Sequence, residues 1–197
     1  MRLFYSRRQP INLVVDDYVL RMVEIGRDWK IRNLKEKLLP PGLLEHGRIL
    51  DDIAFFQFMQ ETVREWKVQR RPVRFYAPDS LIIMRPVEFP ADLADEEING
   101  HFYMELGQSL YLPFDDPIID VYPLPQEDPR AEVRTGLLFA APEEEVRKLS
   151  GIFEDAGLMP VACDIRSLGI YRYYLNQKAS IKPEDVYLFL EVNLNST

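Results

Sequence analysis

Ile11-Asn12-Leu13-Val14-Val15, then Asp16-Asp17-Tyr18, then Val19-Leu20-Arg21-Met22-Val23-Glu24-Ile25 is the stretch that decides the fold. Two runs rich in β-branched and apolar residues, joined by a short acidic turn, predict a β-hairpin that does without the usual turn glycine. Gly26-Arg27-Asp28 predicts a second reversal and a third strand at Trp29–Leu34, so the chain opens as an antiparallel meander. Leu39-Pro40-Pro41-Gly42 then breaks the pattern. Ile49-Leu50-Asp51-Asp52 leads into a helix with an acidic N-terminus, which the helix dipole favours. Ile53, Phe56, Met59, Val63 and Trp66 recur at spacings of three and four, an apolar stripe expected to be buried against the sheet. Val73–Ala77 follows as a strand.

From Ser80 the pattern changes. Leu81–Phe89 is β-rich but interrupted by Pro86, which predicts an edge strand or a bulge. Asp92–Tyr111 has helical spacing at Ile98, Phe102, Leu106 and Leu110, and stops before Pro113. Ile118–Tyr122 and Thr135–Ala140 read as strands around a proline-rich acidic loop, which completes a β-α-β-β lobe inserted over residues 80–141. Pro142 opens a helix with Glu143, Glu144 and Glu145 in its first turn and a stripe at Val146, Leu149, Phe153 and Ala156. Gly157 stands where a left-handed helix stop belongs, and Pro160–Cys163 supplies a strand before a helix carrying Leu168 and Leu175. The expectation is α/β: a mixed five-stranded sheet of Ile11–Val15, Val19–Ile25, Trp29–Leu34, Val73–Ala77 and Pro160–Cys163, with the small lobe as an insert. After a linker at Lys178–Asp185, the apolar run Val186–Val192 reads as one further strand with nothing after it to pair with. On that ground the chain is expected to be a piece of something longer.

Composition narrows the function classes. The 197 residues carry 24 Lys+Arg against 32 Asp+Glu, a net charge of -8, with two His and one Cys. An acidic chain is a poor generic nucleic-acid binder, because phosphate contacts need a concentrated basic surface. Cys163, His46 and His101 lie too far apart in sequence to suggest a zinc or iron–sulfur site. Met1–Gln9 has no apolar core of the kind a secretory signal needs, so a cytoplasmic protein is expected. Asp16 and Asp17 form an adjacent carboxylate pair of a type found in phosphoryl-transfer sites, but the plainer reading is a solvated hairpin turn. Cys163 reads as a small core residue, and Arg70-Arg71 with Arg74 as a solvated cluster. Arg2, Arg7 and Arg8 beside Leu3, Phe4 and Tyr5 form the better membrane-surface candidate, too short to anchor alone.

Several stretches, in order, carry a resemblance. Pro40-Pro41-Gly42-Leu43-Leu44 with Gly47 and Ile49, Ile82-Ile83-Met84-Arg85-Pro86-Val87-Glu88-Phe89-Pro90, Tyr111-Leu112-Pro113-Phe114, and Ala156-Gly157-Leu158-Met159-Pro160-Val161 with Asp164 resemble segments of the PilM family of type IV pilus assembly proteins. That family has the FtsA-type actin-like (ribonuclease H-like) fold. The resemblance implies a subdomain IA over residues 1–79 and 142–185, an inserted 1C-type lobe over 80–141, and the first strand of a truncated second domain over 186–197.

It implies a cytoplasmic scaffold at the inner face of the cell membrane, in pilus assembly or a related competence or secretion system. The implied partner is the tail of a PilN-like membrane protein, held in a groove near the boundary of the two lobes, with Arg85, Pro86, Pro113 and Phe114 as the candidate contacts. Self-association is implied through the 1C-type lobe; the C-terminal strand, left without a partner, is a second candidate.

The family's nucleotide loops are degenerate here. Where the first phosphate loop carries two glycines, this chain has Asn12 to Arg21, with Asp16 and Asp17 facing the phosphate position and Arg21 alone keeping the basic character. At about 4 Å, like charges repel by ~1 kcal/mol even in water. The second loop becomes Glu191-Val192-Asn193, with the longer Glu191 in place of aspartate and Asn193 in place of glycine. The expectation is therefore no enzyme, no metal and no cofactor; ATP enters only under the alternative, the N-terminal half of an active actin-like ATPase.

Overall fold

The computed structural model describes residues 9–126, 128, 130–177 and 188–190. In chain order, β1 (Ile11–Asp16), β2 (Val19–Ile25) and β3 (Ile31–Leu38) form the meander, followed by a small hairpin of β4 (Leu44–Glu45) and β5 (Arg48–Ile49). Then come α1 (Asp52–Trp66), β6 (Pro72–Ala77), β7 (Ile83–Pro90), α2 (Ile98–Glu105), β8 (Pro117–Pro123) and β9 (Val133–Pro142). The chain continues through α3 (Glu143–Asp155), β10 (Met159–Ile165) and α4 (Arg166–Gln177). The described residues divide into two units, one running to Asp79 and resuming at Ile152, the other Ser80–Gly151.

In the larger unit the sheet order is β10-β6-β1-β2-β3, with β1 antiparallel to β2 and parallel to β6, and β10 parallel to β6. This is the expected five-stranded mixed sheet. Ile11, Leu13, Leu20, Met22, Val73 and Phe75 are buried on its strands, and Phe153 of α3 meets Phe75 edge to face at 5.2 Å between ring centres. Gly157 ends α3 at φ +95, its N–H donating to Glu154 O at 2.9 Å, as the sequence led us to expect.

The stripe of α1 differs from the expectation. Met59, Val63 and Trp66 are buried, but so are Phe55, Phe58 and Thr62, whereas Phe56 is half-buried and Ile53 is 72% exposed. Phe55, Phe58, Met59, Thr62, Val63 and Trp66 themselves recur at spacings of three and four and share one face, and Ile53 in the first turn lies off it. Asp51 is the N-cap, accepting the Ala54 N–H at 2.9 Å. Thr62 tolerates burial because its hydroxyl donates back to Phe58 O at 2.7 Å. The third strand is Ile31–Leu38 rather than Trp29–Leu34: Trp29 belongs to the turn, at φ +59 with its N–H donating to Gly26 O at 3.0 Å, and beyond Leu34 Lys35 Nζ donates to Trp66 O at 3.3 Å and Lys37 pairs with Glu65 at 2.7 Å.

Cys163 is exposed rather than buried, because β10 lies at the edge of the sheet. Arg71 is not a solvated charge either. Its guanidinium donates to Glu24 at 2.7 Å and to Gln9 O at 3.1 Å.

The smaller unit is a three-stranded antiparallel sheet in the order β7-β9-β8, so Pro86 does lie on an edge strand. Phe89, Ile98, Phe102, Leu110, Ile119, Val121 and Leu138 form its core. The helix is shorter than Asp92–Tyr111: it ends at Glu105, where the amides of Gln108, Ser109 and Leu110 all turn back to the Glu105 carbonyl and Gly107 takes φ +74. Leu110 is therefore a core residue supplied by a loop. Of the expected strand Val186–Val192 only Leu188–Leu190 is described, in no regular element; the linker Lys178–Asp185 and the basic residues before Gln9 lie outside the described residues. No helix among the described residues is long and apolar enough to cross a membrane.

Candidate functional site

In an open sheet with parallel strands, ligands characteristically sit outside the carboxyl ends of those strands. Here β1, β6 and β10 run parallel and end at Asp16, Ala77 and Ile165, and the register sets Asp164 beside Tyr76. The chain fills this place with its own ion pairs. Asp16, 12% exposed, receives Arg166 Nη1 at 2.6 Å on one carboxylate oxygen and Arg21 Nη1 at 2.9 Å on the other. Arg21 extends the chain of charges to Glu36, Nε donating at 2.7 Å, and lies over the Tyr18 ring at 5.9 Å. Burial alone would weaken the hold of Arg21 on its proton, but the bonds to Glu36 and Tyr18 outweigh it and the pKa moves up.

Asp17 turns the other way. Its carboxylate accepts the N–H of His46 at 2.8 Å and of Gly47 at 2.9 Å. His46 and Gly47 are the two turn residues of the β4–β5 hairpin, with φ +50 and +75, the geometry of a primed turn. The glycine-free β1–β2 turn is thus clamped from outside to a hairpin that has a glycine. Neither aspartate is a solvated turn residue, which corrects the reading from sequence. The sequence pointed to Asp16 and Arg21 but missed Arg166, whose partner is 150 residues away.

A second pair stands beside it. Arg172 holds Asp164 with both terminal nitrogens, Nη2 at 3.0 Å, and the Ile165 N–H donates to the same carboxylate at 2.8 Å. Burial pushes the Asp164 carboxyl up, yet these bonds prevail and hold it below the ordinary range. Tyr76 is raised by burial and by Asp164, against the lowering fields of Arg172, Arg166 and Arg74. Among the described residues no group of three or more His, Cys, Asp or Glu could hold a metal ion. Glu191 and Asn193, the candidate second-loop residues, lie outside the described residues.

The remaining candidates belong to the smaller unit. Arg85 is half-buried on β7, opposite Leu138, with no ion pair or hydrogen bond among the described residues; Pro86 next to it is exposed. Phe114, in the segment before β8, packs half-buried against the core, and Pro113 is exposed. β9 separates β7, which carries Arg85 and Pro86, from β8, which begins three residues after Phe114.

Among the solved structures that resemble this architecture are the following two. One is a PilM-PilN type IV pilus biogenesis complex, with a TM-score of 0.72 and 24% identity, covering 87% of this chain and 52% of that one. The other is the cytoplasmic domain of EpsL, an inner-membrane component of the type II secretion system of Vibrio cholerae, with a TM-score of 0.50 and 11% identity, covering 78% and 56%. The chain thus spans about half the length of the solved chains it matches, and the likeness shows a shared mixed α/β fold, the actin-like fold of PilM. Among curated proteins none matches it. The family described as Type IV pilus assembly protein PilM matches residues 18–186, most of the chain, and the protein therefore belongs to the PilM family.

Proposed function

We propose that this chain is a non-enzymatic scaffold of a type IV pilus or related machinery, holding the cytoplasmic tail of a PilN-like membrane protein at the inner face of the membrane. In this reading the larger unit corresponds to subdomain IA and the smaller to the 1C-type lobe. The observation that carries the loss of nucleotide chemistry is the doubly paired Asp16 carboxylate. A phosphate cradle needs free backbone amides and a close approach that glycine permits. The residues present do not fit that need: the turn has no glycine, and its two carboxylates are already bonded to guanidiniums and amides.

Tail capture needs only apolar pockets and a few donors, so it survives the loss. Half-buried Arg85 offers guanidinium donors to a backbone carbonyl or a carboxylate, with Pro86, Pro113 and the anchored Phe114 supplying apolar surface. The test is a titration of the chain with synthetic PilN-like cytoplasmic tails, in parallel with Mg-ATP. Saturable tail binding that weakens at least tenfold in Arg85→Glu and Phe114→Ala, with no thermal shift from nucleotide, is the expected result. A nucleotide at a hundred times its dissociation constant would add about 2.7 kcal/mol of stability, and a shift of that order would replace this reading with a nucleotide-binding one.

A further inference from the structure

The two main sheets have four edges, and three of them are blocked. On β8, the Ile119 N–H donates to the Tyr103 hydroxyl at 3.0 Å and the Val121 N–H to Asn99 Oδ1 at 2.9 Å, so α2 caps the amides a new strand would need. Prolines Pro86 and Pro90 interrupt β7. On β10, Pro160 and a register shift between Pro160 and Ala162 do the same. The remaining edge, β3, has neither proline nor cap; its register against β2 shifts between Glu24 and Ile25, at Arg32, and the ladder is regular from Asn33 to Leu38.

The direction of the β3 amides follows from one bond. Leu39 N–H donates to Tyr18 O at 2.9 Å, and the ladder continues as Val19 opposite Leu38 and Leu20 opposite Lys37. Hydrogen-bonded pairs alternate in an antiparallel ladder, so Lys37, Lys35 and Asn33 bond to β2, whereas Leu38, Glu36 and Leu34 point their amides and carbonyls outward. No group among the described residues bonds those outward amides. Leu34 and Leu38 are 61% and 70% exposed, on the same side of the strand as Arg32 and Glu36.

We propose that two copies of this chain associate by pairing β3 with β3, antiparallel about a two-fold axis with Leu34 opposite Leu34. The occupant is argued from charge. That register sets Arg32 opposite Glu36 twice and Asn33 opposite Lys35, and it uses the outward amides of Leu34 and Glu36 as donors. Moving the register one step sets Lys35 against Lys35, and the next sets Glu36 against Glu36, each a like-charge pair that disfavours pairing. Moving it the other way replaces the Leu34 pair by Leu34 against Arg32. An isologous edge of this kind closes at two copies and leaves no further open strand at the seam.

The test is disulfide trapping of the whole chain in a Cys163→Ser background, which removes the exposed native thiol. Directly opposed residues in a hydrogen-bonded pair lie about 5.5 Å apart between Cα atoms, within the range a disulfide spans. The two Glu36 residues would be four positions out of register, about 13 Å apart. Leu34→Cys should convert to a linked dimer under mild oxidation while Glu36→Cys stays monomeric, and a mixture of Arg32→Cys with Glu36→Cys should cross-link to each other. Leu34→Lys, a change at an exposed site with unaltered circular dichroism, should abolish concentration-dependent sedimentation. If Leu34→Cys stays unlinked, or links no more than Glu36→Cys, the proposal is wrong.

Discussion

Arg166, the first residue of α4, donates to Asp16, the last residue of β1, at 2.6 Å across 150 residues of sequence. The bond closes the larger unit: it ties the start of its last helix to the end of its first strand, with the side chains 18% and 12% exposed. A bond to a charged group in such a setting contributes about 1.5–3 kcal/mol. Asp16→Asn, which removes the carboxylate charge that Arg166 and Arg21 share, is expected to lower stability by that amount in urea unfolding. A cycle with Arg166→Met should show coupling above ~1 kcal/mol, and a value near zero would mean that α4 is held by its other contacts alone.

Rotation of α1 gives a second expectation. Phe55, fully buried, should cost about 3–5 kcal/mol on truncation to alanine, because the site loses both transfer energy and packing. Ile53→Ala, at an exposed position two residues earlier, should fall within about 0.5 kcal/mol of the parent. Equal losses at the two sites would place the stripe where the spacing of three and four alone had put it.

That contrast shows what the sequence could and could not specify. Strand alternation is a local property, so all five strands of the main sheet were legible, as were Gly157 as a helix stop and Pro86 on an edge. The face of α1 was not, since Phe55, Phe56 and Phe58 are all apolar and Thr62 looks polar until its hydroxyl is seen bonded to Phe58 O. The run Lys35-Glu36-Lys37 looks solvated in sequence, yet Lys35 and Lys37 anchor α1. Leu106 and Leu110 kept helical spacing across a turn that only the backbone at Gly107 reveals. At the site, Asp16 and Arg21 are five residues apart and readable as neighbours across a hairpin; Arg166 requires knowing that β10, β6 and β1 lie in that order.

Acid should weaken the larger unit partly through Asp164. Its carboxyl is held below the ordinary value of 3.8 because the bonds from Arg172 and the Ile165 N–H outweigh burial. A depressed folded pKa means that the contribution is fully present above the unfolded value and is lost as pH falls through the folded one. The urea midpoint of the parent should therefore drop between about pH 5 and pH 2 more steeply than that of Asp164→Asn. Parallel curves would show that the pair contributes nothing to folding.

The capped edge of β8 yields the last expectation. Asn99 serves it twice, accepting the Val121 N–H at 2.9 Å and donating to Asp120 Oδ1 at 3.2 Å, while Tyr103 accepts the Ile119 N–H at 3.0 Å. Each bond is worth about 0.5–1.5 kcal/mol net, so Asn99→Ala and Tyr103→Phe should each lower stability modestly. The larger consequence is for association: with both caps removed, two outward amides flank the exposed Ile118, Asp120 and Tyr122, and the edge becomes a template for another strand. The double variant should gain a concentration-dependent dimer or aggregate that persists when Leu34→Lys is added, because the new edge is on a different sheet from β3. If the double variant sediments like the parent, the two side chains are ordinary helix–strand contacts and the edge is kept apart by some other feature.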